Sequence, residues 1–383
     1  MNIKKIFQLL ALFLSIAIFV SCFGKNDEPK RGTLRTIVMY LVATNTLSQS
    51  IASDIAEVEN AILSNDMNRC RVLVYHTTYS QDPCLYEIKK EKGVIKNVVV
   101  KRYSPDVKST TVERMKDVLQ LAVMTAPAEE YGLILGSHAS GWASSLTSRS
   151  LISTLDFGDD NGSTMPIHEL AEAIPSNTFD FIYCDACYMA GVEVAYELRN
   201  KTKYFIASTT ELPVDGMDYK NNIPCFFADS LDLVAVCKNT FNKYNSKNGS
   251  SRTCTISLVD CDKLDDLASI THDMFAIGEG TKDRSSLQRY KRDQPYLFFD
   301  FNQYMNTFTS EDSEQIETLK TRLHEKLNDI VIYKAATPYI FNYLAIKKEN
   351  YSGLSTYILG STSSDGVNEN YYKTLSWYKD VIE

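Results

Sequence analysis

A histidine and a cysteine, each closing an apolar run, are the residues of this chain best placed to do chemistry. Tyr131-Gly-Leu-Ile-Leu-Gly-Ser leads into His138-Ala-Ser-Gly-Trp142, and Phe179-Asp-Phe-Ile-Tyr-Cys-Asp leads through Ala186 to Cys187. Short apolar runs closed by small or polar residues read as buried strands. In a parallel sheet the carboxyl ends of neighbouring strands open into one crevice, so adjacency would bring imidazole and thiol together as base and nucleophile. After Cys187, Met189, Val192 and Tyr196 fall at helical spacing. That predicts a helix over 188–198 and puts the sulfur near its positive end, which favours thiolate. Ser137, Ala139, Ser140 and Gly141 leave room for a substrate backbone, and their turn offers N–H groups to an oxyanion. His76, His168, His272 and His324 have no such setting and read as structural or surface residues.

The elements that must position this pair follow in order. Thr36 to Ala43 is a continuous apolar run, expected as a central strand buried on both faces. A helix from about Leu47 to Leu63 places Ile51, Ile55, Val58 and Ile62 on one side, and Cys70 to His76 is a second strand. Leu85 to Lys89 and Val94 to Arg102 read as an edge hairpin, and Thr111 to Thr125 as a helix feeding the histidine strand. Strand, helix and strand alternate as in a three-layer α/β sandwich. Residues 143–162 are loop-like, rich in Ser, Thr, Gly and Asp; a short helix over 165–173 then leads to the cysteine strand. Further on, the pattern predicts helices over 231–245, 262–277, 297–308 and 314–333, strands over 253–258 and 353–358, and a final helix over 371–381.

With 44% hydrophobic residues in 383, the chain can bury a sizeable core as one large domain with an appendage, or as two domains. Net charge is −8 with no dense basic stripe, which argues against a nucleic-acid partner. Lys4-Lys5, the apolar run Leu9 to Val20 and Phe19-Val20-Ser21-Cys22 read as a lipoprotein signal peptide over 1–21, with Cys22 as the lipidated residue. Residues 22–34 then form a flexible tether. The expectation is an exported protein held to a bacterial membrane at the outer membrane or cell surface, or secreted if Cys22 carries no lipid. Nine cysteines, less Cys22 and Cys187, leave an odd number, so a fully paired disulfide framework is not expected.

Cys184-Asp-Ala-Cys187 also matches Cys-x-x-Cys after a strand, the setting of a thiol oxidoreductase. That reading leaves His138 unexplained but stays open. No second Cys/His pair has ligand spacing for a metal. Asp156, Asp159, Asp160 and Asn161 supply oxygens that could suit calcium, though not at EF-hand spacing.

His138-Ala-Ser-Gly-Trp142, Cys184-Asp-Ala-Cys187-Tyr-Met189 and Glu193-Val-Ala-Tyr-Glu-Leu198 together resemble the clostripain family of cysteine peptidases, relatives of caspases, gingipains and legumain. Thr36 to Leu47 is similar to that family's first strand and Gly353 to Tyr357 to its late strand. Ala139 departs from the family's Gly after the histidine, and Thr44 from its Asp near the first strand end. The resemblance implies a caspase-like three-layer α/β/α sandwich with a mostly parallel sheet, a catalytic domain over 35–245, and a C-terminal α+β extension over 246–383 that completes it or packs on it. It implies an endopeptidase in which Cys187 attacks, His138 acts as base and acid, and the Cys187 and Ala139 amides hold the oxyanion; no cofactor is expected beyond the calcium that some members of the family need. It further implies cleavage after Arg or Lys, with Asp185 and Asp215 lining the pocket, and self-activation after Arg149, the one Lys or Arg between His138 and Cys187. A catalytically idle relative that binds peptides or glycans at the surface is the alternative that Ala139 raises.

Overall fold

The computed structural model describes residues 32–143, 156–360 and 366–383. Nine strands make the central sheet: β1 (Arg35–Val42), β2 (Cys70–Thr77), β3 (Cys84–Glu91), β4 (Val94–Arg102), β5 (Glu130–Gly136), β6 (Phe179–Asp185), β7 (Thr202–Ala207), β8 (Thr255–Asp260) and β9 (Val331–Ala336). Their spatial order is β9-β8-β7-β6-β5-β1-β2-β3-β4. The five inner strands, β7-β6-β5-β1-β2, run parallel, and two antiparallel strands are added at each edge.

Alternation along β1 explains the three layers. Ile37, Met39 and Leu41 face one core, Val38, Tyr40 and Val42 the other, and all are buried. The first core is covered by α1 (Ser48–Ser64), α2 being reserved for the opposite face (Val112–Thr125). With α2 lie α3 (Ile167–Ala173) and α4 (Val192–Leu198); with α1 lie α5 (Tyr219–Phe227) and α6 (Leu233–Asn245). Further along, α7 (Leu264–Ile277) and α8 (Ser313–Ile330) join the α2 layer. The described residues from 33 onward form one compact unit, and β8 and β9 continue the same sheet beyond residue 246.

Three local expectations change. The helix after Cys187 begins only at Val192 and has seven residues. Tyr188 stands at φ 60°, and the Tyr188 and Ala190 amides donate to the carbonyls of Thr210 and Ser208, so the chain is held in a turn where a helix would start. The helix predicted to reach residue 333 ends at Ile330, and its last residues open edge strand β9. Phe157–Asp160, within the stretch read as loop, forms a small hairpin with Ser163–Met165, where the helix is expected to begin at Met165.

Candidate active site

Register places the two reactive side chains. Gly136 of β5 pairs with Asp185 of β6, and His138 and Cys187 each lie two residues beyond that pair, at the same sheet rim. Both line one cavity of about 490 Å³. A larger groove of about 1090 Å³, lined in part by Arg284, Gln288 and Lys347, includes neither of them and has no nucleophile of comparable setting.

Each of the two reactive groups has its own partner. The Leu212 amide donates to Cys187 Sγ at 3.3 Å. His138 Nε2 shares a 2.8 Å hydrogen bond with Thr46 Oγ1, from the turn after β1. That turn is fixed by Asn45, whose Nδ2 donates to the carbonyls of Val42 and Asp159. Thr44, at the position where the resemblance expects Asp, bonds to Thr77 instead and not to the imidazole. Thr46 was not singled out by sequence; its only signal is a hydroxyl in the turn that closes β1.

Electrostatics set the resting protonation. Burial pushes the Cys187 thiol up to about 12; the Leu212 N–H opposes this, while the charges of Glu211 and Asp185 reinforce it. The expected helix end is five residues away and short, so nothing there offsets burial. Burial also lowers His138, against a smaller pull from Asp159. The cavity therefore holds a thiol and a neutral imidazole at rest, not the thiolate expected from sequence. The amides of Ala139 and Cys187 have no acceptor among the described residues, as donors awaiting an oxyanion would.

The cavity grades from dry to wet. Asp185 lies inside it, its Oδ2 accepting from the Met217 amide (3.2 Å) and Tyr219 Oη (2.9 Å), with no donor on Oδ1 among the described residues. Gly216, at φ 54°, lets the loop approach this closely: a Cβ there would lie 2.5 Å from Asp185 Oδ2. Leu41, Leu47 and Ile51 form an apolar wall, and Val214, Tyr343 and Arg292 stand at the exposed mouth. Glu211 also lines the cavity and accepts from Tyr343 Oη at 3.2 Å.

Asp215 is not among the residues that line the cavity. Its loop lines the cavity through Val214 and Gly216, but its carboxylate is more than half exposed and pairs with Lys247 at 3.1 Å, outside the lining. A residue before Gly at a turn points where the turn sends it, which spacing cannot give. Two acids that sequence reasoning passed over, Asp54 and Glu211, lie in the lining instead. Asp54 had a readable signal, since it sits on the same helical stripe as Ile51, Ile55 and Val58.

Cys184 lies in β6 and is sealed in the core, 1% exposed, with its thiol pushed up by burial. That setting gives a redox pair no accessible second sulfur. The acids suggested for calcium serve the turn: Asp160 Oδ2 accepts from the Ser109 amide and Asp159 Oδ1 from the Gly162 amide. Among the described residues no group of three or more His, Cys, Asp or Glu could hold a metal. Cys22 and Arg149 lie outside the described residues.

The model of the clostripain family, peptidase family C11, matches residues 39–383. An inactive zymogen C11 protease from Parabacteroides distasonis is similar in structure, with TM-score 0.79 and 28% identity, over 93% of this chain and 100% of that one. A secreted C11 cysteine protease from Bacteroides thetaiotaomicron gives TM-score 0.79 and 25% identity over 92% and 99% of the two chains. A secreted C11 cysteine protease from Bacteroides thetaiotaomicron in complex with an irreversible peptide inhibitor gives TM-score 0.77 and 28% identity over 92% and 99% of the two chains. No curated protein matches the chain.

Proposed function

The chain belongs to the clostripain family of cysteine proteases, and from that premise we propose that it is an endopeptidase cleaving after Arg or Lys with Cys187 as nucleophile and His138 as general base. The observation that carries this reading is the shared rim: both side chains line one cavity that also contains the half-buried Asp185. His138 takes the proton from Cys187 Sγ as the sulfur attacks the scissile carbonyl carbon. Negative charge moves to the carbonyl oxygen, where the Ala139 and Cys187 amides receive it. Collapse expels the amine, which takes its proton from His138, and leaves a thioester. Water, deprotonated by His138, then releases the carboxylate product and the thiol. Thr46 holds the ring before substrate arrives.

Asp185 is the acid for the basic P1 side chain, because a neutral P1 residue would leave a desolvated carboxylate uncompensated. Asp215 contributes charge at a distance only. Self-activation by cleavage after Arg149 follows from the same specificity. An active preparation that remains one chain on a denaturing gel would show that no such cut is needed. Export through the segment over 1–21 and anchoring through Cys22 belong to the same proposal. No helix among the described residues is long and apolar enough to cross a membrane.

The test is an Arg-amidomethylcoumarin peptide assayed with wild type, Cys187→Ala and Cys184→Ala. Loss with the first variant and retention with the second supports the peptidase reading. A requirement for both thiols would favour the redox alternative, and no cleavage by any form a binding protein.

A further inference from the structure

An acid buried on an otherwise apolar helix face calls for a reason. Asp54 is 6% exposed, on the stripe of α1 formed by Ile51, Ile55 and Val58, and it lines the same cavity as Asp185, His138 and Cys187. It has no ion-pair partner within contact distance among the described residues, unlike Asp215 with its Lys247. A structural acid on that stripe would be matched by a cation or replaced by an apolar side chain without loss.

We propose that Asp54 is a second specificity-determining carboxylate of this site, gripping with Asp185 the guanidinium or ammonium group of a P1 Arg or Lys from two different elements, α1 and the end of β6. This rests on the endopeptidase reading above and deepens it. Two carboxylates of separate origin can each accept from one edge of a planar guanidinium, which one acid on Oδ1 alone cannot do.

The charge balance has a consequence for pH. Asp54 is held well above the usual carboxylate range, first by burial and then by Asp185; Lys243 opposes this, and Glu57 and Asp215 add to it. Asp185 is also raised, by burial, against the Met217 amide, Tyr219 and Lys243. Lys243 does not neutralise the pair, since its Nζ donates to the carbonyls of Asp215 and Met217. Glu211 and Arg292 stand further out among the lining residues, and Tyr219 and Tyr244 stay protonated. The empty pocket thus retains a proton that a bound cation displaces, and preference for a cationic P1 side chain strengthens as pH rises.

The experiment uses the full chain and two peptides that differ only at P1, Arg or its uncharged isostere citrulline. Their kcat/KM ratio is measured from about pH 6 to about pH 9, a span that runs from near the histidine reference value toward that of cysteine; chemistry common to both peptides cancels. In wild type the ratio favours Arg and rises with pH. In Asp54→Asn it falls by roughly 10- to 100-fold, the loss of one charge-assisted hydrogen bond, and no longer rises. Thermal unfolding accompanies the assay and Asp54→Asn melts no lower than wild type, because a buried acid has been replaced by its neutral isostere. A folded Asp54→Asn with an unchanged ratio overturns the inference. So does a wild-type ratio flat with pH, which needs no variant to fold. A wild type that cleaves both peptides equally overturns the basic-P1 reading itself, and is told apart before any variant is made.

Discussion

Cys187, the nucleophile proposed for this site, rests as a thiol and has to be activated. Its thiol is pushed up to about 12 by burial and by the charges of Glu211 and Asp185, and His138, which lines the same cavity, is lowered by burial. The thiolate is the reactive form, so alkylation of the unoccupied protein by iodoacetamide, followed at Cys187 by mass spectrometry, is expected to be slow at neutral pH. Its rate should keep climbing through pH 9 and beyond. A rate that levels off below pH 7 would mean a stable thiolate–imidazolium pair instead. His138, Cys187 and Asp185 were legible because each sits at the end of a strand-like run. Asp54 was passed over because a carboxylate on a helix is usually solvated, although its place on the apolar stripe of α1 could be read. The helix-dipole argument failed at Tyr188, whose positive φ delays the helix.

At the scale of elements, the site depends on two loops meeting beyond β5 and β6. Gly141, at φ 71°, lies against the carbonyl of Tyr188: a Cβ there would stand 2.8 Å from that oxygen. Gly141→Ala therefore incurs left-handed strain of about 1–2 kcal/mol and also pushes the histidine loop off the cysteine loop. Gly162→Ala is the matched control, with φ 85° and nothing within 4 Å of its Cβ. Both variants are expected to lower the melting temperature, but only Gly141→Ala should lower kcat, by about 10-fold or more for a displaced catalytic geometry. Equal kcat in the two would separate loop contact from catalysis. The parallel strands were readable from continuous apolar runs such as Thr36 to Ala43. Edge strand β9 was not: Val331-Ile-Tyr follows a long amphipathic helix without a break, and only pairing with β8 extends it.

Across the whole molecule, the C-terminal segment is tied to the catalytic loops. Trp142 stacks edge-on against Tyr357 and Phe298 and lies beside Tyr372. Glu193 Oε1 accepts from Thr356 Oγ1 and the Tyr357 amide. The sequence motifs at residues 142, 193 and 357 were visible singly, but their convergence was not. Glu193 is raised to about 7 and Asp156 to about 8, burial being the first cause in both, and Asp300 is raised likewise. The folded state therefore binds more protons than the unfolded one above the unfolded carboxylate range, and stability falls as pH rises toward these values. His76, lowered to about 4 by burial, acts the other way only below about pH 6.5. Calorimetry should accordingly find a lower melting temperature at pH 8 than at pH 6.5. Glu193→Gln should flatten that slope, Glu193 alone contributing on the order of 1 kcal/mol between these two pH values. A melting temperature that rises over this interval would contradict the assignment of these acids.

The identity of the nucleophile can be read directly by mass spectrometry after the protein is treated with a peptidyl chloromethyl ketone carrying Arg at P1. The account predicts one adduct, on Cys187, that is absent from Cys187→Ala and forms much more slowly with citrulline at P1. An adduct on Cys184 or another cysteine, or labelling of Cys187 indifferent to the P1 charge, would contradict it.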